Sequence, residues 1–104
     1  MRRGEVWWAK LPPPIGHRPV VLVSRDEAYA VRTAVTIAEV TTTVRHIPVE
    51  VPLGREDGLP KACVANLDTL ATIPKAQLQE RICALRPEKL QAIERALKFA
   101  LALG

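Results

Sequence analysis

Residues Ile15 to Ser24 read IGHRPVVLVS, and the unbroken apolar run from Pro19 to Val23 decides how the chain must fold. A strand with one wet face alternates apolar and polar residues, whereas this one reads as a strand covered on both faces. Proline is tolerated at the first position of a strand, where its missing amide costs little, and it drives the preceding Arg18 into extended geometry. Arg18 is therefore expected at the rim of a sheet, carried by a rigid element. A guanidinium held in this way suits the stabilisation of charge on a phosphate, although pairing with a surface carboxylate would explain it equally well. His17 beside it can exchange a proton near neutral pH. Neighbours in an extended chain face opposite ways, so His17 and Arg18 meet one ligand only if the loop before Pro19 twists.

On either side of this strand, short apolar runs are punctuated by proline and glycine at LPPPIG, RHIP, PLGREDGLP and ATIP. GEVWWAKL reads as a strand whose adjacent tryptophans leave its face assignment open. TAVTIAEVTTTV reads as a third, with Val35 and Ile37 on one face and Val40 out of step, which predicts a bulge near residues 38 to 40. IPVEVPL, ACVANLDTLATI and ERICALRP supply further short strands. After them, Pro87 occupies a first helical position, and Leu90, Ile93, Leu97, Ala100 and Leu101 recur at helical spacing. The pattern predicts a mainly β fold with a C-terminal α-helix. About five to seven short strands would form a small SH3-like barrel whose openings the helix covers.

The chain's 104 residues suit one domain, over residues 1–104, with a core small enough that a homodimer would add useful buried area. A hydrophobic share of 48% with 25% charged residues excludes a disordered chain. Net charge is +4, and ten of the fifteen basic residues are arginine, the side chain best shaped for phosphate. Cys63 and Cys83 have neither metal-ligand nor disulfide-framework spacing and read as buried thiols. Arg2 and Arg3 are followed by no apolar leader segment, and no window approaches a membrane span. The expected location is the cytoplasm.

Several side chains have chemistry suited to nucleic acid. Thr41, Thr42 and Thr43 offer hydroxyls to phosphate oxygens, and Arg45 can follow a nucleic-acid backbone. Thr-rich strand ends are also simply good β formers. Asn66 and Asp68 share one side of an extended strand, where Asn66 can read a base edge and Asp68 can act as a base.

Taken in order, RRGEVWWAKL, RPVVLVS, EVTTTVRHIPVEVPL, GLPKACVANLDTLATIPKAQL and the helix after LRPEKL resemble the successive blocks of the MazF/PemK family of toxin endoribonucleases. The resemblance spans nearly the whole chain. It implies a PemK-like, SH3-related barrel, a homodimer, and a cognate antitoxin whose segment occupies the RNA groove. It also implies metal-independent cleavage of single-stranded RNA, with no cofactor, by attack of the ribose 2′-OH to leave a 2′,3′-cyclic phosphate and a 5′-hydroxyl. The family's arginine before the second-strand proline falls on Arg18 and its third-strand threonine on Thr41. Its acidic position falls on Asp68, and Gly16-His17 resembles a Gly-His pair found in some members. This sequence departs in two places: its first loop, PPPIGH, is shorter and lacks the family's glutamate, and Asn66 stands where some members have arginine. The rival readings are a catalytically silent RNA-binding barrel and an SH3-like peptide adaptor. The adaptor requires exposed aromatics, and the chain has only Trp7, Trp8, Tyr29 and Phe99.

Overall fold

The computed structural model describes residues 1–104. Six strands form one curled half-barrel sheet: β1 (Glu5–Lys10), β2 (His17–Leu22), β3 (Ala34–Thr41), β4 (Glu50–Leu53), β5 (Cys63–Pro74) and β6 (Leu78–Ala84). Their order is β4-β5-β3-β2-β1-β6, with every neighbouring pair antiparallel. A one-turn helix α1 (Ala28–Val31) follows β2, and α2 (Pro87–Ala100) closes the chain. No helix is long and apolar enough to cross a membrane.

The run that follows Pro19 is buried on both sides, as its composition requires. Val21 and Val23 pack with Val6, Ala38, Val40, Leu53, Leu67 and Ile93 beneath α2. Val20 and Leu22 pack on the other side with Leu11, Tyr29, Val35, Ile37, Ile73 and Leu78. Both β1 and β2 lie inside the sheet, flanked by β6 and β3.

No change of parity occurs in β3, where Val35, Ile37 and Glu39 stay on one face and Ala38 and Val40 on the other. The bulge anticipated near residues 38 to 40 lies instead in β5, opposite Ala38 and Glu39. Ala38 pairs with Leu70 but Glu39 with Asn66, so residues 67–69 of β5 bow out while β3 advances by one. The bow reverses the alternation of β5, so that Cys63 and Ala65 serve one core and Ile73 the other. ACVANLDTLATI is thus one long bent strand, because β3 stays paired with it on both sides of the bow.

Helix α2 opens at Pro87 and buries Ile93 and Ala96. Leu101, which the spacing placed on the apolar face, instead ends the helix and is half exposed, as are Phe99 and Leu103. The short α1 had no sequence signature of periodicity, since four residues complete one turn and the second core holds them through Tyr29. Gly16 closes the loop between β1 and β2 with φ +68°, where a side chain is strained, and its carbonyl accepts the Leu11 amide at 2.9 Å.

Ile93→Ala, which empties a fully buried position against β4 and β5, is expected to cost about 2–5 kcal/mol in urea unfolding, whereas Leu101→Ala should change it by under about 0.5 kcal/mol. Tyr29, the chain's one tyrosine, has its pKa pushed up to about 12, first by burial, with Arg3 opposing and Asp26 adding to the rise. A phenol that holds its proton more tightly when folded contributes stability that is complete below pH 10 and lost as the pH climbs toward 12. Absorbance titration at 295 nm should show one late tyrosinate transition, moving back toward pH 10 in urea.

Candidate nucleic-acid site at the head of strand β2

Strand β2 begins at His17, so the residues on either side of Arg18 are already in ladder geometry, with Lys10 opposite His17 and Ala9 opposite Arg18. The loop does not twist the two cationic candidates together. Strand parity sends Arg18 to the face of Val20 and Leu22, away from α2, and His17 to the α2 side with Pro19 and Trp8. His17 stacks on Trp8 there, with ring centroids 4.5 Å apart and planes inclined by 15°. The question left by the adjacent tryptophans is answered in the same way. Trp7 packs against the second core and donates its indole N–H to Glu5 Oε1 at 2.9 Å, while Trp8 serves the opposite face.

Arg18 donates from Nη1 to Glu39 Oε1 at 3.1 Å. The arginine side chain is 34% exposed and the glutamate 12%, so the pair lies at the edge of the sheet's interior and faces solvent through the arginine. Glu39 stands opposite Val20 on β2 and opposite Asn66 on β5, and Asn66 in turn stands opposite Glu50 on β4. A polar row therefore crosses the sheet on the face turned away from α2. Thr41 lies two residues beyond Glu39 on β3 and so belongs to the same face. Its Oγ1 accepts the Thr43 amide at 3.1 Å, which shapes the turn that leaves the strand.

The remaining candidates occupy the border of this row. Thr42, Thr43 and Arg45 are exposed beyond the end of β3. The amides of Arg45 and His46 donate to the Glu50 carboxylate at 2.9 and 3.0 Å, so Glu50 fixes the course of that segment. Asn66 is buried, and its Oδ1 accepts the Asp68 amide at 2.9 Å. Asp68 itself is exposed on the bowed part of β5. The i, i+2 relation that would place Asn66 and Asp68 side by side is thus broken by the bow, and only Asn66 stays in the row.

Across the sheet, Trp8, Pro19, Thr41, Thr42, Leu59 and Lys61 border a cleft of about 100 Å³ beside the His17 stack. Thr41 consequently borders both the polar row and this cleft. Cys63 lines the cleft too, but its thiol pKa is raised by burial and by Asp57 and Glu56, against Lys89, which leaves little thiolate for nucleophilic chemistry. Cys83 is raised by burial and Asp57, against Arg81. Sequence reasoning missed Glu39 as the partner of Arg18. The one available signal was a charged residue inside an otherwise apolar strand.

The family model described as PemK-like, MazF-like toxin of type II toxin-antitoxin system matches residues 2–101. The chain is 38% identical over 100 residues to the probable endoribonuclease MazF5 of Mycobacterium tuberculosis, covering 95% of this chain and 91% of that protein. Among solved structures, the Mycobacterium tuberculosis toxin MazF-mt6 superposes with a TM-score of 0.88 at 32% identity, over 96% of this chain and 98% of that one. An endoribonuclease from a mycobacterial species, solved in complex with its cognate antitoxin, also gives 0.88, at 30% identity over 100% of this chain and 97% of its own.

The stack of His17 on Trp8 has a direct optical consequence. His17→Ala should expose the Trp8 indole and raise fluorescence quenching by acrylamide, while the melting temperature stays within about 4 °C because His17 is an exposed residue. Unchanged quenching would contradict the stack.

Proposed function

We propose that this chain, which belongs to the PemK-like, MazF-like toxins of type II toxin-antitoxin systems and is an endoribonuclease of that family, cuts single-stranded RNA at the face of the sheet headed by Arg18. The observation that carries the reading is the placement of Arg18 and Thr41 on that one face, in a chain that the family model matches over residues 2–101. The ribose 2′-oxygen attacks the adjacent phosphorus, and the product ends are a 2′,3′-cyclic phosphate and a 5′-hydroxyl.

The transition state is a phosphorane with more negative charge than the bound phosphate. A guanidinium delivered by a strand with a core on each face stabilises that charge without first having to be ordered. Arg18 supplies this group, and its charge allows the reaction to proceed without a metal ion. Thr41 donates its hydroxyl to a non-bridging oxygen and orients the scissile phosphate. Thr42, Thr43 and Arg45 extend the contact along the neighbouring backbone, where phosphate contacts set register. Asp68, exposed on the bow, presents its carboxylate to a base edge, and the buried Asn66 holds the Asp68 amide. His17 on Trp8 offers a stacking surface for an unpaired base, the usual way to hold single-stranded RNA. Its position on the opposite face from Arg18 favours this role over proton transfer.

The physiological assembly in this reading is a homodimer acting on cytoplasmic RNA, silenced by a cognate antitoxin whose segment covers the Arg18 face. The fold fits one domain, 1–104, working as a dimer. Phe99, Leu101 and Leu103 leave apolar surface at the end of α2 that a second copy would bury.

Incubation of the purified chain with a long single-stranded RNA in EDTA should give discrete cuts with cyclic phosphate and 5′-hydroxyl ends, and the same sequence as DNA should bind uncut. Arg18→Ala should lower the cleavage rate by about 10²-fold or more while circular dichroism stays that of the folded protein. Bound but intact RNA would refute the enzymatic reading, and an Arg18→Ala variant of undiminished rate would refute the assignment.

A further inference from the structure

We propose that Glu39 is the general base of the cleavage, taking the proton from the attacking 2′-hydroxyl. The inference rests on the RNA-cleaving reading above and names the residue which that reading leaves open. A base for this reaction must lie within hydrogen-bond reach of a hydroxyl whose phosphate is held by Arg18, so it must be a neighbour of Arg18 on the same face. The chain has few groups that meet this condition. His17 is on the opposite face and stacked on Trp8. Asp68 is carried outward on the bow of β5. Glu50 is committed to the amides of Arg45 and His46, one strand beyond Asn66. Glu5 accepts the Trp7 indole and faces Arg81.

Among the carboxylates Glu39 alone bonds Arg18, at 3.1 Å, and it shares a face with Arg18 and Thr41. Oε1 takes the arginine bond. Oε2 accepts no hydrogen bond within the chain and is not a sealed atom, since the buried side-chain atom without a partner is Gln77 Oε1. The carboxylate is thus held at one oxygen and open at the other. Its neighbours on the strands packed against it are Val20 and Asn66, with Arg18 as the adjoining charge, and the nearest further carboxylate along the row is Glu50.

In the proposed step Glu39 Oε2 accepts the 2′-OH proton as the 2′-oxygen forms its bond to phosphorus. The P–O5′ bond breaks, and the departing 5′-oxygen takes a proton from a solvent water. The hydroxide so formed recovers the proton from Glu39, and no electrons change hands. Arg18 shifts its free donors onto the phosphorane while keeping Glu39 aimed at the ribose.

The test compares single-turnover cleavage by wild type, Glu39→Gln and Glu39→Asp in EDTA across the pH range in which each is folded. Affinity is measured separately on RNA carrying a 2′-O-methyl group at the cut site. Glu39→Gln should be slower by about 10²–10⁴-fold, should bind the methylated RNA as wild type does, and should lose the rise of rate with pH on the acid side. Glu39→Asp, with its carboxylate drawn back by one methylene, should be slower but keep that rise. A folded Glu39→Gln with wild-type rate and profile overturns the proposal, as does a loss that lies wholly in RNA affinity. If Gln does not fold, Asp decides, and a wild-type rate from it overturns the proposal. Wild-type protein that leaves RNA intact refutes the cleavage reading itself, whereas cutting by wild type and Glu39→Gln alike refutes only the base.

Discussion

Strand β2 has an apolar core on each of its faces, and this two-sided burial is the constraint on which the rest of the molecule depends. Val21 and Val23 need α2, the second half of β3 and the first half of β5 above them, and Val20 and Leu22 need Tyr29, Ile37 and Ile73 below. Strand β5 serves the same two cores in turn, because the bow opposite Ala38 and Glu39 reverses which of its side chains face each. The bow at residues 67–69 is a product of the same demand. It moves Asp68 outward and leaves Asn66 in the polar row.

A strand fixed on both faces is a rigid mount, and the polar chemistry begins where the apolar burial ends. Arg18 is the last residue on its face before the loop, held through Pro19 in the sequence and through Glu39 in space. A half-buried ion pair of this kind is weak evidence for stability, because desolvation offsets much of the attraction. Its value lies in orientation: the pair keeps a guanidinium and a carboxylate side by side at the position where a phosphate and its neighbouring hydroxyl would enter. In the proposed reaction, proton transfer and charge stabilisation would fall to two residues that already touch.

Much of this was legible in the sequence. The Pro19–Val23 run announced a doubly covered strand and Pro87 marked the start of α2. The step from Val35 and Ile37 to Val40, read as a bulge in β3, is instead regular alternation between two cores, with the bulge across the ladder in β5. Arg18 and Thr41 were legible as candidates, Arg18 from the proline that follows it and both from the resemblance to the MazF/PemK family. The pairing of Arg18 with Glu39 was not, since 21 residues separate them and the register that sets Glu39 opposite Val20 is fixed by pairing between strands rather than by local sequence. The relation of Asn66 to Asp68 was misjudged for the same reason: i, i+2 alternation holds only in an unbowed strand. His17 and Arg18 obeyed that alternation and were separated by it.

The central claim is that the scissile phosphate sits on the Arg18 face, between the guanidinium and the Thr41 hydroxyl. A crystal structure of the chain with a short single-stranded RNA made uncleavable by a 2′-deoxy sugar at the cut site tests this most directly. The account predicts phosphate oxygens within hydrogen-bond distance of Arg18 and Thr41, with the 2′ carbon turned toward Glu39. A phosphate bound on the α2 side of the sheet, with the Arg18–Glu39 pair untouched, would contradict it.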